Sequence, residues 1–156
     1  MNQKQLSRFL MAAGILASLG VLLVFGAAAF LLARITPQWQ SSAIFWTRLV
    51  YLCPIAALYL SALWQYVDVC RRIGDNRSFC TENAQALAGM AKRLFLAAGL
   101  WLLYPLLLAV LGRSNRLILP SLLLFLGSLC MGMLALGLGR MLTRVVHLQE
   151  ENDLTI

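Results

Sequence analysis

The sequence predicts an all-α fold, a four-transmembrane-helix antiparallel bundle with both termini cytoplasmic. Hydrophobic residues make up 61% of the 156 positions and charged residues only 12%, which is typical of a chain whose solvent is mostly lipid. The charges lie in clusters and leave four long uncharged runs between them. Lys and Arg are also distributed unequally between the two sets of connecting segments, which indicates an orientation in the membrane.

The four uncharged runs are long enough to cross a bilayer as helices. They cover residues 9–33, 49–67, 94–112 and 117–139, and each is bracketed by charged residues. A hydrocarbon core about 30 Å thick needs roughly 20 apolar helical residues. The first run has 25 residues. It exceeds the roughly 7 to 15 apolar residues of a signal peptide, so we interpret it as a span. Residues 1–156 are predicted to form a single integral membrane domain, with a cytoplasmic loop at 71–83 and a cytoplasmic tail at 148–156.

The positive-inside rule assigns both termini and the middle loop to the cytoplasm. Nine Lys or Arg residues lie on that side and four on the other. Basic residues at helix ends anchor against lipid headgroups, so the net charge of +7 does not indicate direct binding of nucleic acid. The nine residues are Lys4, Arg8, Arg71, Arg72, Arg77, Lys92, Arg93, Arg140 and Arg144.

Small residues at helical spacing predict close packing between helices. In lipid, small side chains about four positions apart let two helix backbones approach each other. The pattern indicates internal seams of the bundle, and it fits a homodimer face as well. The residues are Gly14, Ser18, Gly20 and Gly26 in the first helix, Cys53, Ala57 and Ser61 in the second, and Ser128, Gly132, Ala135 and Gly139 in the fourth.

The cytoplasmic connection between the second and third helices contains residues that end and start helices. Gly74 fits a left-handed C-cap, and Thr81 fits an N-cap with Glu82 near the positive end of the new helix. The third helix begins before its apolar run and the fourth continues beyond its own, so both are predicted to extend into the cytoplasm. Asp68, Asp75 and Glu82 are expected to form ion pairs with Arg71, Arg72 and Arg77 at the interface.

Few residues have the chemistry that catalysis or metal binding requires. The spans contain no paired carboxylates, no nucleophile with a base and no metal-ligand set, so we expect no enzyme, metal or cofactor. Cys70 and Cys80 are placed in the reducing cytoplasmic loop, where no disulfide is expected. Tyr59, Gln65 and Tyr104 are the notable polar residues within the spans. They would form the path if the chain is a small transporter or channel.

Two stretches resemble a known family. Residues 74–83 read Gly-Asp-Asn-Arg-Ser-Phe-Cys-Thr-Glu-Asn, and residues 148–156 read Leu-Gln-Glu-Glu-Asn-Asp-Leu-Thr-Ile. Both are similar to the YoaS-like family of small four-helix bacterial membrane proteins of unknown function, and the resemblance extends over almost the whole chain. In that family a Gly-x-x-x-Pro-Phe-x-x-x-Asn pattern follows the second helix. Here Ser78 stands where Pro is usual, while Phe79 and Asn83 stay in register.

The resemblance implies a location and a partner. Members of the family belong to the bacterial cell (inner) membrane and are often encoded beside an Xre/Cro-type helix-turn-helix regulator, so the resemblance implies such a cytoplasmic regulator as a partner. We therefore expect a non-enzymatic membrane module that anchors or regulates this partner. The candidate partner-binding residues are Gly74, Phe79, Glu82, Asn83, Glu150, Glu151, Asn152, Asp153, Leu154, Thr155 and Ile156.

Three alternatives stay open at this point. The chain is instead a small transporter or channel, or it is a structural or assembly protein that forms a homo-oligomer through its small-residue stripes. The acidic tail has its own alternative, which is to fold back and close the bundle rather than bind a partner. The basic residues that it would meet are Arg71, Arg72, Arg77 and Arg144.

Overall fold

The computed structural model describes residues 3–35, 42–74, 80–110 and 118–153, and all of these except Cys80 are helical. Four helices follow one another along the chain: α1 Gln3–Ile35, α2 Ser42–Gly74, α3 Thr81–Val110 and α4 Ile118–Asp153. The prediction of an all-α fold with four helices is confirmed. Residues 71–74 and 81–83 of the predicted loop belong to α2 and α3, and Cys70, which the sequence placed in the loop, lies in α2.

All four helices are longer than a bilayer requires. They contain 33, 33, 30 and 36 residues. At about 1.5 Å per residue, each is roughly 45 Å or more in length, against about 30 Å of hydrocarbon. The segments long and apolar enough to cross a membrane are Ser7–Ala28, Leu49–Gly74, Thr81–Leu107 and Leu119–Leu148. Four membrane-spanning helices were predicted, and the length and composition of these segments agree with that prediction.

Consecutive helices pack against each other in antiparallel pairs. Ser7 near the start of α1 contacts Cys70 near the end of α2, and Tyr51 near the start of α2 bonds the Leu100 carbonyl in the second half of α3. The backbone of α1 packs on α2, that of α2 on α3, and that of α3 on α4. Among the described residues, no Cα atom of α1 comes within 8 Å of α3 or α4. Helix α1 therefore lies at the edge of the array.

The interior of the helix array consists largely of small side chains, whereas large apolar side chains face outward. Ala91 and Ala97 of α3 are fully buried, while Leu16 and Leu23 of α1 are each 73% exposed. An exposed surface of this kind suits a lipid solvent, because lipid tails cover apolar side chains at no cost. Burial of apolar surface therefore does not drive the helices together in lipid. They pack closely where small residues allow two helix surfaces to fit each other.

The small-residue stripes predicted to be internal seams pack against other helices to different extents in α4, α1 and α2. The seam of α4 is confirmed, because Gly132 packs against Phe95 and Gly139 packs against the α3 backbone. In α1 only part of the stripe packs. Gly14 contacts Tyr66, whereas Gly20 and Gly26 face open space. The interpretation of the α2 stripe as an internal seam is wrong, since Cys53 and Ala57 are exposed. The buried positions of α2 are Ile55, Ala62, Val69 and Cys70.

Candidate functional site

One end of the array, here called the loop end, contains the start of α1, the end of α2, the start of α3 and the end of α4. The antiparallel order of the helices places all four there. Basic side chains are exposed near this end on every helix. Because lipid headgroups and phosphates attract such side chains, they fit the interface of a membrane with water. The exposed basic residues are Arg8, Arg71, Lys92, Arg140 and Arg144.

At the loop end α1 is fastened to α2 by a buried serine. The Ser7 side chain is 2% exposed, and its Oγ donates a 2.6 Å hydrogen bond to the carbonyl oxygen of Cys70. Gly74 makes room for this serine, because a Cβ at Gly74 would lie 2.6 Å from Ser7 Oγ. Helix α2 ends at Gly74 as predicted, but the glycine does not have the left-handed conformation of the predicted C-cap. Its missing side chain serves packing instead.

We expect Gly74→Ala to loosen the start of α1. The new Cβ displaces Ser7 from the Cys70 carbonyl, so the free energy of unfolding should fall by about 1 kcal/mol, the net value of one hydrogen bond. The measurement is denaturant unfolding in detergent, combined with hydrogen exchange of the α1 amides. Ser7→Gly provides the control background, since it removes the group that the Cβ meets. An equal cost of Gly74→Ala in both backgrounds would contradict the contact.

Two ion pairs connect the acidic and basic residues of this end. Arg71 lies 3.9 Å from Asp68, and Arg72 of α2 lies 3.6 Å from Glu82 of α3. These are two of the predicted pairings, while Asp75 and Arg77 lie outside the described residues. All four side chains are more than one third exposed, so each pair contributes less than about 1 kcal/mol. The Arg72–Glu82 pair does connect α2 and α3 directly.

The predicted partner-binding residues of the connection do not share one surface. Glu82 is exposed, but Asn83 is 1% exposed, so it belongs to the interior rather than to a docking face. The backbone N–H of Asn83 donates a 3.1 Å bond to the Cys80 carbonyl, which places the cap of α3 at Cys80 and Thr81 in the first turn. Phe79 lies outside the described residues.

The end of α4 extends past the start of α3. Gly139 packs against Ala84, Leu87 and Ala88 near the start of α3, yet α4 continues to Asp153. The backbone of residues 150–153, which supply four of the predicted partner-binding residues, is therefore helical. At about 1.5 Å per residue, the last turns of α4 extend roughly 10 Å beyond the first residue of α3. Leu154, Thr155 and Ile156 lie outside the described residues.

Polar groups also line the seam between α2 and α3, deeper than the ion pairs. Arg93 was predicted to bracket the apolar run of the third helix at the headgroups, but its Nη1 donates a 3.1 Å bond across the seam to the Ser61 carbonyl. One turn away, the Gln65 amide lies against Gly89, where a Cβ would be 3.1 Å from its nitrogen. Sequence reasoning missed the cross-helix role of Arg93. Its position in the first half of a continuous 30-residue helix was the available signal.

Tyr59 is the side chain at which all four helices meet. Its ring lies 6.3 Å from that of Phe25 in α1, and the Trp101 Nε1 of α3 donates a 3.2 Å bond to its hydroxyl. The hydroxyl also bonds Ser128 Oγ of α4, and Ser128 in turn donates a 2.7 Å bond to the Leu124 carbonyl. Since the one proton of Ser128 goes to Leu124, Tyr59 is the donor to Ser128.

Within the described part of the chain, no group of three or more His, Cys, Asp or Glu side chains could hold a metal ion. The cysteines are also separate thiols, with Cys70 buried and Cys53 and Cys130 exposed. Several of the described polar side chains join two helices, and others bond within their own helix.

The four long apolar helices and the basic loop end define a class, that of multi-pass membrane proteins. The chain belongs to the family described as "Protein of unknown function (DUF2975)", which matches residues 33–156. No curated protein and no solved structure matches the chain.

Proposed function

We propose that this chain is a non-enzymatic module of the bacterial inner membrane, with both termini inside the cell, that holds a cytoplasmic partner at its loop end. The observation that carries the proposal is the extension of α4. Helices α3 and α4 are antiparallel, and α4 continues to Asp153, past the level at which α3 begins. The last turns of α4 therefore extend beyond the first residue of α3. A helix of 36 residues exceeds the need of a bilayer by more than ten residues, and the residues of α4 outside its apolar segment Leu119–Leu148 lie mainly at this end.

The charge of the extension differs from that of the surface around it. Residues 150, 151 and 153 are acidic, whereas the exposed residues Arg140 and Arg144 come earlier on the same helix. The basic residues are suited to headgroups and the acidic end to a basic protein surface. The continuous helix also argues against the tail folding back onto Arg71 and Arg72, because a helix cannot reverse its direction without a break.

The partner that we propose is a small helix-turn-helix regulator of the Xre/Cro type. This identity follows from the resemblance to the YoaS-like family, in which such a regulator is often the neighbouring gene product. A regulator of this type has basic surfaces for DNA phosphates, and these suit an acidic helix end. Holding the regulator at the membrane would keep it from its operator.

We expect deletion of residues 153–156 to abolish retention of the regulator encoded beside this protein. Recovery of the regulator with the membrane protein from detergent extracts should fall about tenfold or more, as expected when charged and apolar contacts at a small interface are removed. Asp68→Asn is the matched control. It removes an acid of α2 at the same end, one that is not a candidate partner-binding residue, and should leave recovery unchanged. Undiminished recovery after the deletion would exclude residues 153–156 as the binding element.

Transport is the second candidate function, and the polar line along the α2–α3 seam favours it. Starting from the Arg72–Glu82 pair, the line passes through Gln65, Arg93 and the Ser61 carbonyl. Polar groups inside membrane helices are often those that solutes or ions meet. In this chain most of them bond to a neighbouring helix, so we rank transport below partner binding.

A further inference from the structure

Helix α4 has a second apolar stripe, distinct from the seam that packs on α3. Its residues recur at alternating steps of three and four positions, which is the heptad spacing of a coiled coil. None of them is buried. The heptad stripe consists of Met131 (59% exposed), Leu134 (62%), Leu138 (58%), Met141 (70%), Val145 (38%) and Leu148 (63%).

The heptad stripe and the α3 seam occupy different faces of α4. The seam contains Ser128, Gly132, Ala135, Gly139 and Val146, all buried. At 100° per residue the two faces lie roughly a third of a turn apart. The heptad stripe is thus free to meet another helix without disturbing the contact between α3 and α4.

Lipid accounts for the exposure of the heptad stripe only along part of α4. Before Arg140 the exposed side chains are apolar on every outward face, for example Leu129 and Met133, as a lipid-facing helix requires. Between Arg140 and Leu148, where the side chains are described, the exposed apolar side chains are confined to the heptad stripe and the other exposed side chains are polar. Leu148 lies eight residues, about 12 Å, beyond Arg140 and is 63% exposed. Because the exposed Arg140 and Arg144 suit lipid headgroups, we infer that headgroups and water, not hydrocarbon, surround Leu148.

We propose that the heptad stripe of α4 pairs two copies of this chain as a parallel, two-fold symmetric dimer. All copies insert into the membrane in one orientation, so their α4 helices run parallel. A two-fold axis along the membrane normal then brings each stripe residue against its own counterpart. No charged residue occupies a stripe position, since Arg140 and Arg144 fall between them. Asn152 takes the next stripe position, where an asparagine in the core of a coiled coil favours two strands in register.

Cysteine cross-linking in native membranes tests this dimer. The background replaces Cys53, Cys80 and Cys130 by Ala and keeps Cys70, which is 1% exposed. Single cysteines are then placed at Met141, Val145 and Leu148, and each is oxidised at low expression. Equivalent residues of a parallel pair lie near disulfide distance. We therefore expect about tenfold more disulfide-linked dimer at these positions than at controls.

The matched controls are cysteines at Arg140 and Thr143, which are as exposed but lie off the heptad stripe. Val145→Asp in the Leu148→Cys background should abolish the dimer, because it places two carboxylates in the paired core. Because Val145 is only 38% exposed in the single chain, circular dichroism of the variant checks that its helices are intact. Equal dimer at stripe and control positions would overturn the proposal. Absence of dimer, or cross-links from the stripe to a different protein, would also overturn it.

Discussion

Gly139→Leu is expected to lower the free energy of unfolding by about 3 kcal/mol, the largest effect of any substitution considered for this protein. A Cβ at Gly139 would already lie 3.3 Å from the carbonyl oxygen of Ala84 and 3.3 Å from the Cβ of Leu87. The atoms that it meets belong to the backbone and the first side-chain carbon of α3, which cannot rotate away. A leucine must therefore push α3 and α4 apart, and the contact between these helices would be lost along the seam.

Gly137→Leu is the matched control for this prediction. Gly137 lies two residues earlier on α4, and a Cβ there would meet nothing within 4 Å. Both substitutions raise helix propensity equally, so only the packing differs. The two variants and wild type are compared by denaturant unfolding in detergent micelles. If Gly137→Leu destabilises the protein as much as Gly139→Leu, then close approach of the two helices is not what stabilises it.

The α3–α4 seam was predictable from sequence, but the other seams were only partly so. Ser128, Gly132 and Gly139 have the small-residue spacing that permits close packing, and the structure places all three against neighbours. Cys53 and Ala57 have the same spacing in α2 and are exposed. Spacing alone does not distinguish the cases, because a membrane helix is apolar on its lipid face and its protein face alike. The periodicity that locates the core of a water-soluble protein is missing.

At the loop end, features set by neighbouring residues in the sequence were predictable, whereas contacts between distant residues were not. The end of α2 at Gly74 was predictable, since glycine is typical of helix ends. The contact of Gly74 with Ser7 was not, because the two residues are far apart in sequence and only the antiparallel pairing of α1 and α2 joins them. Similarly, the charges near residue 150 indicated a polar tail, whereas the structure continues α4 to Asp153.

Tyr59→Phe is expected to lower the free energy of unfolding by about 1 to 2 kcal/mol, because it removes one hydroxyl that joins three helices. The wild-type chain of donors runs from Trp101 to Tyr59, from Tyr59 to Ser128 and from Ser128 to the Leu124 carbonyl. Without the hydroxyl, the Trp101 N–H loses its acceptor in a side chain that is 9% exposed. Ser128 keeps its bond to the Leu124 carbonyl, so the loss of stability comes mainly from the broken bond between Trp101 of α3 and Tyr59.

Tyr104→Phe is the control, because the Tyr104 ring stacks on Tyr51 at 5.0 Å and the structure records no bond from its hydroxyl to a described residue. It should leave stability within about 0.5 kcal/mol of wild type. Tyr59→Phe also tests the transport alternative, because Tyr59 is one of the residues predicted to form its path. If Tyr59 only joins helices, liposomes containing wild type or Tyr59→Phe should be equally tight to ions and small solutes. Solute flux through wild type that disappears in Tyr59→Phe, with the fold intact, would instead favour transport.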